Sequence, residues 1–474
     1  MAFFGLCILL WTLNFPMPME TSKLIFVFVS ALCFIIIPLF LKNVRRYYLA
    51  FASFIYVFTS GWIFYHYTGL MLADLPILGL LTVSFLERRR IRLLPHPVGW
   101  PLVGFILLGL LSATWAKQPG WALAEVSKYF RMYLLILVLL DNIRSLSDLR
   151  LVVHWMLIGF LIESLIGIYQ WKFGALGIWF LGERPASRID WRSMGTFYVT
   201  SFYANYLVMV LSVALRMFIF YRPSKLLLSI FYGAASLLGL LAFYTTYARG
   251  PWIAFLVAFG IVFLLSFLRS RYKIRSQWAV PVFLVGVLAL FIRYHNQIFA
   301  QFGESRRVSY EVRFTQYDIA GRMIMRYPLQ GVGLGNYEEN VGDYLTQEER
   351  SSYLVSVYLG MVHNSYFLIT AELGFPGGIV FVLFFITIGL TILEILRSRL
   401  NHSFIVNTTL GILGGVIAIC TCLLSSPDIH EYSLLYQIGL FCGILLAEKK
   451  LLRQALFMQK QKKGISSTHR IPIL

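Results

Sequence analysis

Of the 474 residues, 58% are hydrophobic and only 13% charged, where a soluble domain carries roughly a quarter charged. That balance excludes an ordinary soluble enzyme. The formal charge of +19 is read as a membrane-topology signal, not as a nucleic-acid footprint, because its surplus sits in short loops between apolar runs.

Apolar runs of about twenty residues, enough to cross ~30 Å of hydrocarbon, predict spans near 21–41, 47–67, 69–86, 97–116, 126–141, 150–171, 198–220, 224–246, 250–268, 278–294, 374–396, 403–425 and 432–448. Residues 2–15 are apolar but short and are followed by Pro16 and Pro18. They lack a basic n-region and an A-x-A-like site, so they are not read as a cleaved signal. Counted as a span, they raise thirteen crossings to fourteen. The expected fold is all-α: a polytopic transmembrane helical bundle of 13–14 spans with one large external insert containing short helices. Its parts are transmembrane helices over 1–294 with an external loop at 172–197, the insert at 295–373, further transmembrane helices at 374–448, and a basic cytoplasmic tail at 449–474.

Orientation follows from the basic clusters. Lys42/Arg45/Arg46, Arg88/Arg89/Arg90/Arg92, Arg144/Arg150, Arg222/Lys225, Arg269/Arg271/Lys273/Arg275, Arg397/Arg399 and the tail from Lys449 to Arg470 all fall on one side of the alternation. By the positive-inside rule that side is the cytoplasm. The opposite side receives 117–125, 172–197, 247–249, 295–373 and 426–431, and polar loops on a rigid bundle are where function is expected. The five cysteines (Cys7, Cys33, Cys420, Cys422 and Cys442) all lie in apolar segments without a CxxC, which indicates neither disulfides nor zinc.

The external loops carry basic residues against the topological bias: Lys128 and Arg131, then Arg184, Arg188 and Arg192, then Arg249, then Arg306, Arg307, Arg313, Arg322 and Arg326. A guanidinium offers a rigid donor fork that suits a diphosphate at a membrane surface. Arg249 stands apart, fixed at the tip of the tight connection Tyr247-Ala248-Arg249-Gly250-Pro251-Trp252. His363-Asn364 ends the insert, and the run after it reads as a short helix that stops at Gly374 and re-enters through Pro376. A histidine there can accept a proton near neutral pH. Gly331-Val332-Gly333-Leu334-Gly335 has no buried strand before it, so it is read as a sharp loop with exposed amides and not as a dinucleotide fingerprint. Glu163 is the clearest charge inside a span, with functional and partnered structural readings both open. Glu338-Glu339, Glu348-Glu349 and Asp428/His430/Glu431 are read as solvated or supporting residues, and no metal site is indicated.

Four elements then carry a resemblance: Gly167-Ile168-Tyr169-Gln170, Arg192-Ser193-Met194-Gly195-Thr196-Phe197, the Arg249 turn, and the stretch from Arg313 through Pro328–Tyr337 to His363-Asn364 and Glu372-Leu373-Gly374. In these the chain resembles the O-antigen ligase and polymerase superfamily of bacterial membrane oligosaccharide transferases. Ala248 replaces the family's Ser in the Arg249 turn, and Val199-Thr200-Ser201 replaces an Asn-Pro-Asn-like triplet. The resemblance implies a multi-pass protein of the bacterial inner membrane whose active site faces the periplasm. It implies a glycan donor linked to undecaprenyl pyrophosphate and an acceptor hydroxyl on lipid A–core (ligase) or on a lipid-linked repeat unit (polymerase). It also implies contact with membrane lipids, no cofactor, no metal and no nucleic acid. His363 and Arg249 are the catalytic candidates, with Arg192, Arg249 and Arg313 on the diphosphate and Asn364, Glu372, Arg322, Gly333 and Gly335 in support. The spacing from His363-Asn364 to Gly374 and Gly377 fits a ligase pattern, while Arg184/Gly195 and Arg322/Gly333 repeat a spacing noted in polymerases. A lipid-linked glycan transporter is the alternative from another class, but ionisable residues deep in the spans are sparse and no paired broken spans appear.

Overall fold

The computed structural model describes residues 43–55, 73–88, 97–174, 192–197, 199–268, 307–398 and 402–468, together with Leu93. The expected spans at 21–41 and 278–294, the stretch 2–15, Arg184, Arg188 and Arg306 lie outside the described residues. Within them the protein is helical and contains no strand.

The helices in chain order are α1 (Val44–Phe54), α2 (Asp74–Leu86), α3 (Gly99–Ser112), α4 (Pro119–Asn142), α5 (Leu146–Phe173), α6 (Thr200–Phe220), α7 (Leu226–Thr245) and α8 (Arg249–Leu268). The insert contributes α9 (Arg307–Arg326), α10 (Tyr337–Val341), α11 (Gln347–Ser351) and α12 (Val355–Tyr358). Three more close the bundle: α13 (Ser365–Arg397), α14 (Ser403–Cys422) and α15 (Tyr432–Thr468). Among the described residues six helices are long and apolar enough to cross a membrane: α5, α6, α7, α8, α13 and α14. Their boundaries follow the predicted spans closely. The exceptions are α13, which starts nine residues earlier than expected at Ser365, α4, which starts seven residues earlier at Pro119, and α15, which runs past the predicted end at 448 to Thr468.

The centre of the bundle is the pair α6 and α14, the most buried of the spanning helices. They approach closely because α14 presents two glycines one turn apart: a Cβ at Gly411 would stand 2.7 Å from Val213 Cα, and one at Gly415 2.7 Å from the Met209 carbonyl oxygen. Lipid gives helices no hydrophobic reason to associate, so close packing through small residues supplies the attraction. Conversely, Leu226, Leu227, Ile230 and Leu237 on α7 and Ile253, Leu256 and Leu264 on α8 point outward, as a lipid-facing surface requires.

The two ends of the bundle differ in chemistry. At one end Arg45 and Arg46 reach Asp148, at 3.0 and 3.4 Å, and Arg144 pairs with Glu87. At that same end Lys449 and Arg453 meet Glu394, and Arg150 lies over the Phe404 ring. Among the described residues, these basic residues that sequence alternation places together are therefore together in space. At the other end Gln118 meets Asn336, Ser193 meets Thr245, and Ser365 meets Ser426.

At that second end α13 is broken. Gly374 has φ 67° and ψ −175° inside an otherwise helical run, with Pro376 two residues on. The short piece before the break begins at Ser365, and the predicted insert boundary at 373 coincides with the break at Gly374. The break exposes carbonyls that the helix cannot satisfy, and the glycine segment supplies donors: Val332 N–H to Ala371 O (3.0 Å) and Gly333 N–H to Glu372 O (2.8 Å), while Phe375 N–H returns to Pro328 O (2.7 Å). Gly331, Gly333 and Gly335 all have positive φ, at 65°, 105° and 68°. The amides expected to lie exposed for a ligand are instead buried and consumed as the joint between insert and bundle.

A Cβ at Gly374 would stand 2.6 Å from the Leu329 carbonyl carbon, and a left-handed backbone adds roughly 1–2 kcal/mol of strain for any residue with a Cβ. Gly374→Ala should therefore lower the melting temperature of the purified protein by several degrees. Gly389→Ala, at a position in the same helix with nothing within 4 Å, should leave it unchanged or raise it slightly. Equal melting temperatures for the two variants would contradict the break.

Candidate active site

The site is assembled from three segments at the end opposite the basic loops. The first is the turn carrying Arg192. Gln170, buried near the end of α5, accepts from Gly195 N–H (2.8 Å) and Met194 N–H (3.2 Å) and donates to Gly195 O (2.6 Å). Glu163, about two turns earlier, accepts from Thr196 N–H at 2.6 Å and from its hydroxyl at 3.3 Å. Both readings of Glu163 thus resolve to the structural one: it holds the turn. Gly195 has φ 57°, and a Cβ there would overlap the Glu163 carboxylate.

The second segment is the connection between α7 and α8. Ser193 N–H donates to Thr245 O (3.1 Å), and the two hydroxyls lie 2.6 Å apart. Arg192 and the Arg249 connection therefore share one corner. The chain reverses through Tyr247, a rare non-glycine residue at φ 49°, and Trp252 Nε1–H caps back onto Phe243 O. Arg249 is half-buried and opens α8. Beyond it, a Cβ at Gly250 would stand 3.0 Å from the Ser425 hydroxyl, so this turn lies against the loop between α14 and α15.

That loop leads to the third segment. Ser365 N–H donates to Leu423 O (2.9 Å) and its hydroxyl to Ser426 O (2.7 Å). Asn364 caps α13, its Oδ1 accepting from Tyr366 N–H and Phe367 N–H at 2.9 and 3.1 Å. Asn364 supports the site by starting the helix beside His363. On the other flank Tyr317 of α9 stacks on Phe367, centroids 5.5 Å apart. Its hydroxyl donates to His363 O at 3.4 Å. Buried Val312, Gln316, Ile319, Ala320 and Met323 form the inward stripe of α9, and Arg313, half-buried on that helix, lies near enough to act on His363.

His363 is half-buried. Its Nδ1 sits 3.1 Å from Gln316 Oε1 and 3.2 Å from Met361 O. Burial, and then the Arg313 charge, hold its pKa below the usual histidine value, against a smaller opposing effect of the Met361 carbonyl. It is a neutral imidazole at pH 7.

Arg322 and the glycines play other parts. Arg322 donates to both oxygens of Glu349, at 2.9 and 2.7 Å, and Glu349 closes a capping box with Thr346 at the start of α11. That arginine ties α9 to the rest of the insert. Gly333 packs on Ala116 and Gly335 on Glu125.

Glu372 belongs to a cluster invisible in the sequence. His430 is buried with Nε2 2.9 Å from Glu372 and Nδ1 3.1 Å from Glu125. Lys128 reaches Glu125 and the His430 carbonyl. Asp428 is also buried, accepting from Asn205 at 2.5 Å. Of the two readings of this loop, solvated or supporting, the burial of Asp428 and His430 contradicts the first and fits the second: the loop folds inward because α4 and α13 offer it partners. The available sign was the spacing of Glu125, Lys128 and Arg131, which places three charges on one helix face. Among the described residues no group of His, Cys, Asp and Glu has the geometry to hold a metal.

Burial alone would lower the His430 pKa, but the carboxylates of Glu372 and Glu125 outweigh it and raise it to about 10. A pKa raised by folding contributes stability that is complete below the ordinary value of 6.5 and fades as pH rises through about 10. The melting temperature of the wild type should therefore fall between pH 8 and pH 10.5. His430→Gln should show a lower melting temperature at pH 7 and a flatter dependence over that range. Parallel curves for the two proteins would place the cluster's stabilisation elsewhere.

Residues 234–382 match the family model described as O-antigen ligase. No curated protein matches the chain. The matched stretch runs from α7 into α13 and holds the Arg249 turn, Arg313, the glycine joint and His363. Over this stretch the chain is similar to the O-antigen ligase family.

Proposed function

We propose that the protein transfers a glycan from an undecaprenyl-pyrophosphate carrier to an acceptor hydroxyl at the periplasmic face of the bacterial inner membrane, as an O-antigen ligase acting on lipid A–core. The observation that carries this reading is the linkage of Arg192, Arg249 and His363 at one end of the bundle, through Ser193–Thr245 and the 423–426 loop. That end is opposite the basic loops, which the positive-inside rule assigns to the cytoplasm.

The chemistry follows from the groups present. The donor's isoprenoid chain stays in the bilayer, so its diphosphate lies at the rim, where Arg249, Arg192 and Arg313 bind it through charge-assisted hydrogen bonds. The acceptor oxygen attacks the anomeric carbon, its proton passes to His363 Nε2, and the sugar–phosphate bond breaks with its electron pair leaving on the diphosphate. The arginines stabilise that developing charge, the task a metal performs elsewhere. A histidine held neutral by burial beside Arg313 is ready to accept the proton without prior deprotonation. The engagement of Arg322 by Glu349 supports a structural task for that arginine within the insert, in keeping with the ligase reading.

In an in vitro assay with purified protein and lipid-linked donor, Arg249→Lys should lose most activity while folding normally, since lysine keeps the charge but not the fork. His363→Ala should slow transfer about a hundredfold or more, the usual scale of a general base, with little change in donor KM. EDTA should have no effect. Activity lost with EDTA would sink the metal-free mechanism, and full activity of His363→Ala would remove the base.

The orientation is tested separately in a background free of native cysteines. A cysteine replacing exposed Tyr353 should react with an impermeant thiol reagent in cells whose outer membrane is permeabilised, while one replacing exposed Phe457 should not. The reverse pattern would overturn the topology.

A further inference from the structure

His363 has a partner that the proposed reaction does not yet use. Gln316 is 1% exposed, on the inward stripe of α9. Its Nε2 donates to Val357 O at 3.1 Å. A carbonyl oxygen only accepts, so this contact fixes which end of the amide is nitrogen and leaves Oε1 facing His363 Nδ1 at 3.1 Å. The other neighbour of Nδ1 is Met361 O, at 3.2 Å, again only an acceptor. Two acceptors on one ring nitrogen require that nitrogen to carry the hydrogen. Nε2 then bears the lone pair, and among the described residues nothing hydrogen-bonds to it.

We propose that Gln316 is a positioning residue for the transfer reaction: with the Met361 carbonyl it holds His363 in the Nδ1–H tautomer, keeping Nε2 unprotonated and available to the acceptor hydroxyl. This rests on the reading of His363 as the base. A neutral amide suits that task better than a carboxylate. His430 shows the contrast within the same protein, since two carboxylates on its ring keep it a cation at neutral pH. An amide orients the imidazole without holding the proton it has gained, so the proton is free to leave before the next turnover. The charged and titratable groups around His363 are Arg313 and Tyr317 on α9 and Glu338 on α10, whose carboxylate accepts from the Met361 backbone. None of them replaces the Gln316 contact at Nδ1.

The test uses the full chain in nanodiscs with 15N-labelled histidine, the His363 resonances being assigned by difference from His363→Ala. The wild type should show a single Nδ1–H tautomer. Gln316→Leu should show both tautomers, with kcat lowered about tenfold and the KM for an undecaprenyl-diphosphate-linked glycan unchanged. Gln316→Glu is isosteric and keeps the acceptor. It should retain the single tautomer and move the acid limb of the kcat profile up by about one pH unit or more, as a carboxylate partner does. A single tautomer and unchanged kcat in Gln316→Leu, with an unmoved acid limb in Gln316→Glu and an inactive His363→Ala, would overturn this inference and leave the proposed function standing. A fully active His363→Ala would overturn the proposed function itself, whatever the tautomer.

Discussion

A helix that stops inside a membrane bundle leaves carbonyls with neither water nor a next turn to satisfy them, and most of the site follows from how this chain answers that demand at Gly374. The donors are Val332 and Gly333 N–H, delivered by a segment that must approach the broken backbone closely. A side chain would block that approach at Gly331, where a Cβ would stand 2.3 Å from the Glu372 carbonyl, while Gly333 and Gly335 pack against Ala116 and Glu125; all three have positive φ. The joint fixes the end of the short half-helix of α13. The Asn364 cap and the Ser365 contacts to the 423–426 loop fix its beginning. His363 sits just ahead of that cap, so its height above the bundle is set by backbone hydrogen bonds and not by the insert's own folding.

The two histidines at this end show how protein environment divides one side chain into two roles. His430 lies between the carboxylates of Glu372 and Glu125 and serves as a charged strut linking α4, α13 and the loop between α14 and α15. His363 meets carbonyl and amide oxygens near a guanidinium and stays neutral. Both are largely removed from water, and the difference lies in the formal charge of the partners. Glu372 adjoins both regions: its carbonyl accepts from the glycine joint and its carboxylate from His430.

The spans were legible because hydropathy is a local property, readable within twenty residues. The break at Gly374 was legible too, since a glycine followed by Pro376 punctuates a helix. That the basic loops share one side needed only counting, and the described ones group at one end of the bundle. What the sequence hides is pairing over distance. Nothing near Arg322 announces that Glu349 engages it, and an exposed-looking glycine loop gives no sign that its amides are consumed by Ala371 and Glu372. The His430 cluster joins residues about three hundred positions apart, and Gln316 meets His363 across 47. Such contacts depend on tertiary geometry, so residues with polar side chains in apolar stretches were easier to nominate than to assign.

The clamp on the Arg192 turn has a thermodynamic meaning. Its amides at Met194, Gly195 and Thr196 are already bonded to Gln170 and Glu163, both buried in the bundle. Ordering a loop around an incoming ligand subtracts conformational entropy from affinity, at a cost that grows with each residue immobilised. Here the backbone beneath the arginine was ordered when the protein folded, so that loss was met during folding and is not drawn from binding. Under the proposed function, what remains to be ordered on arrival is the arginine side chain and the donor itself, which leaves the flexibility of the complex with the substrate.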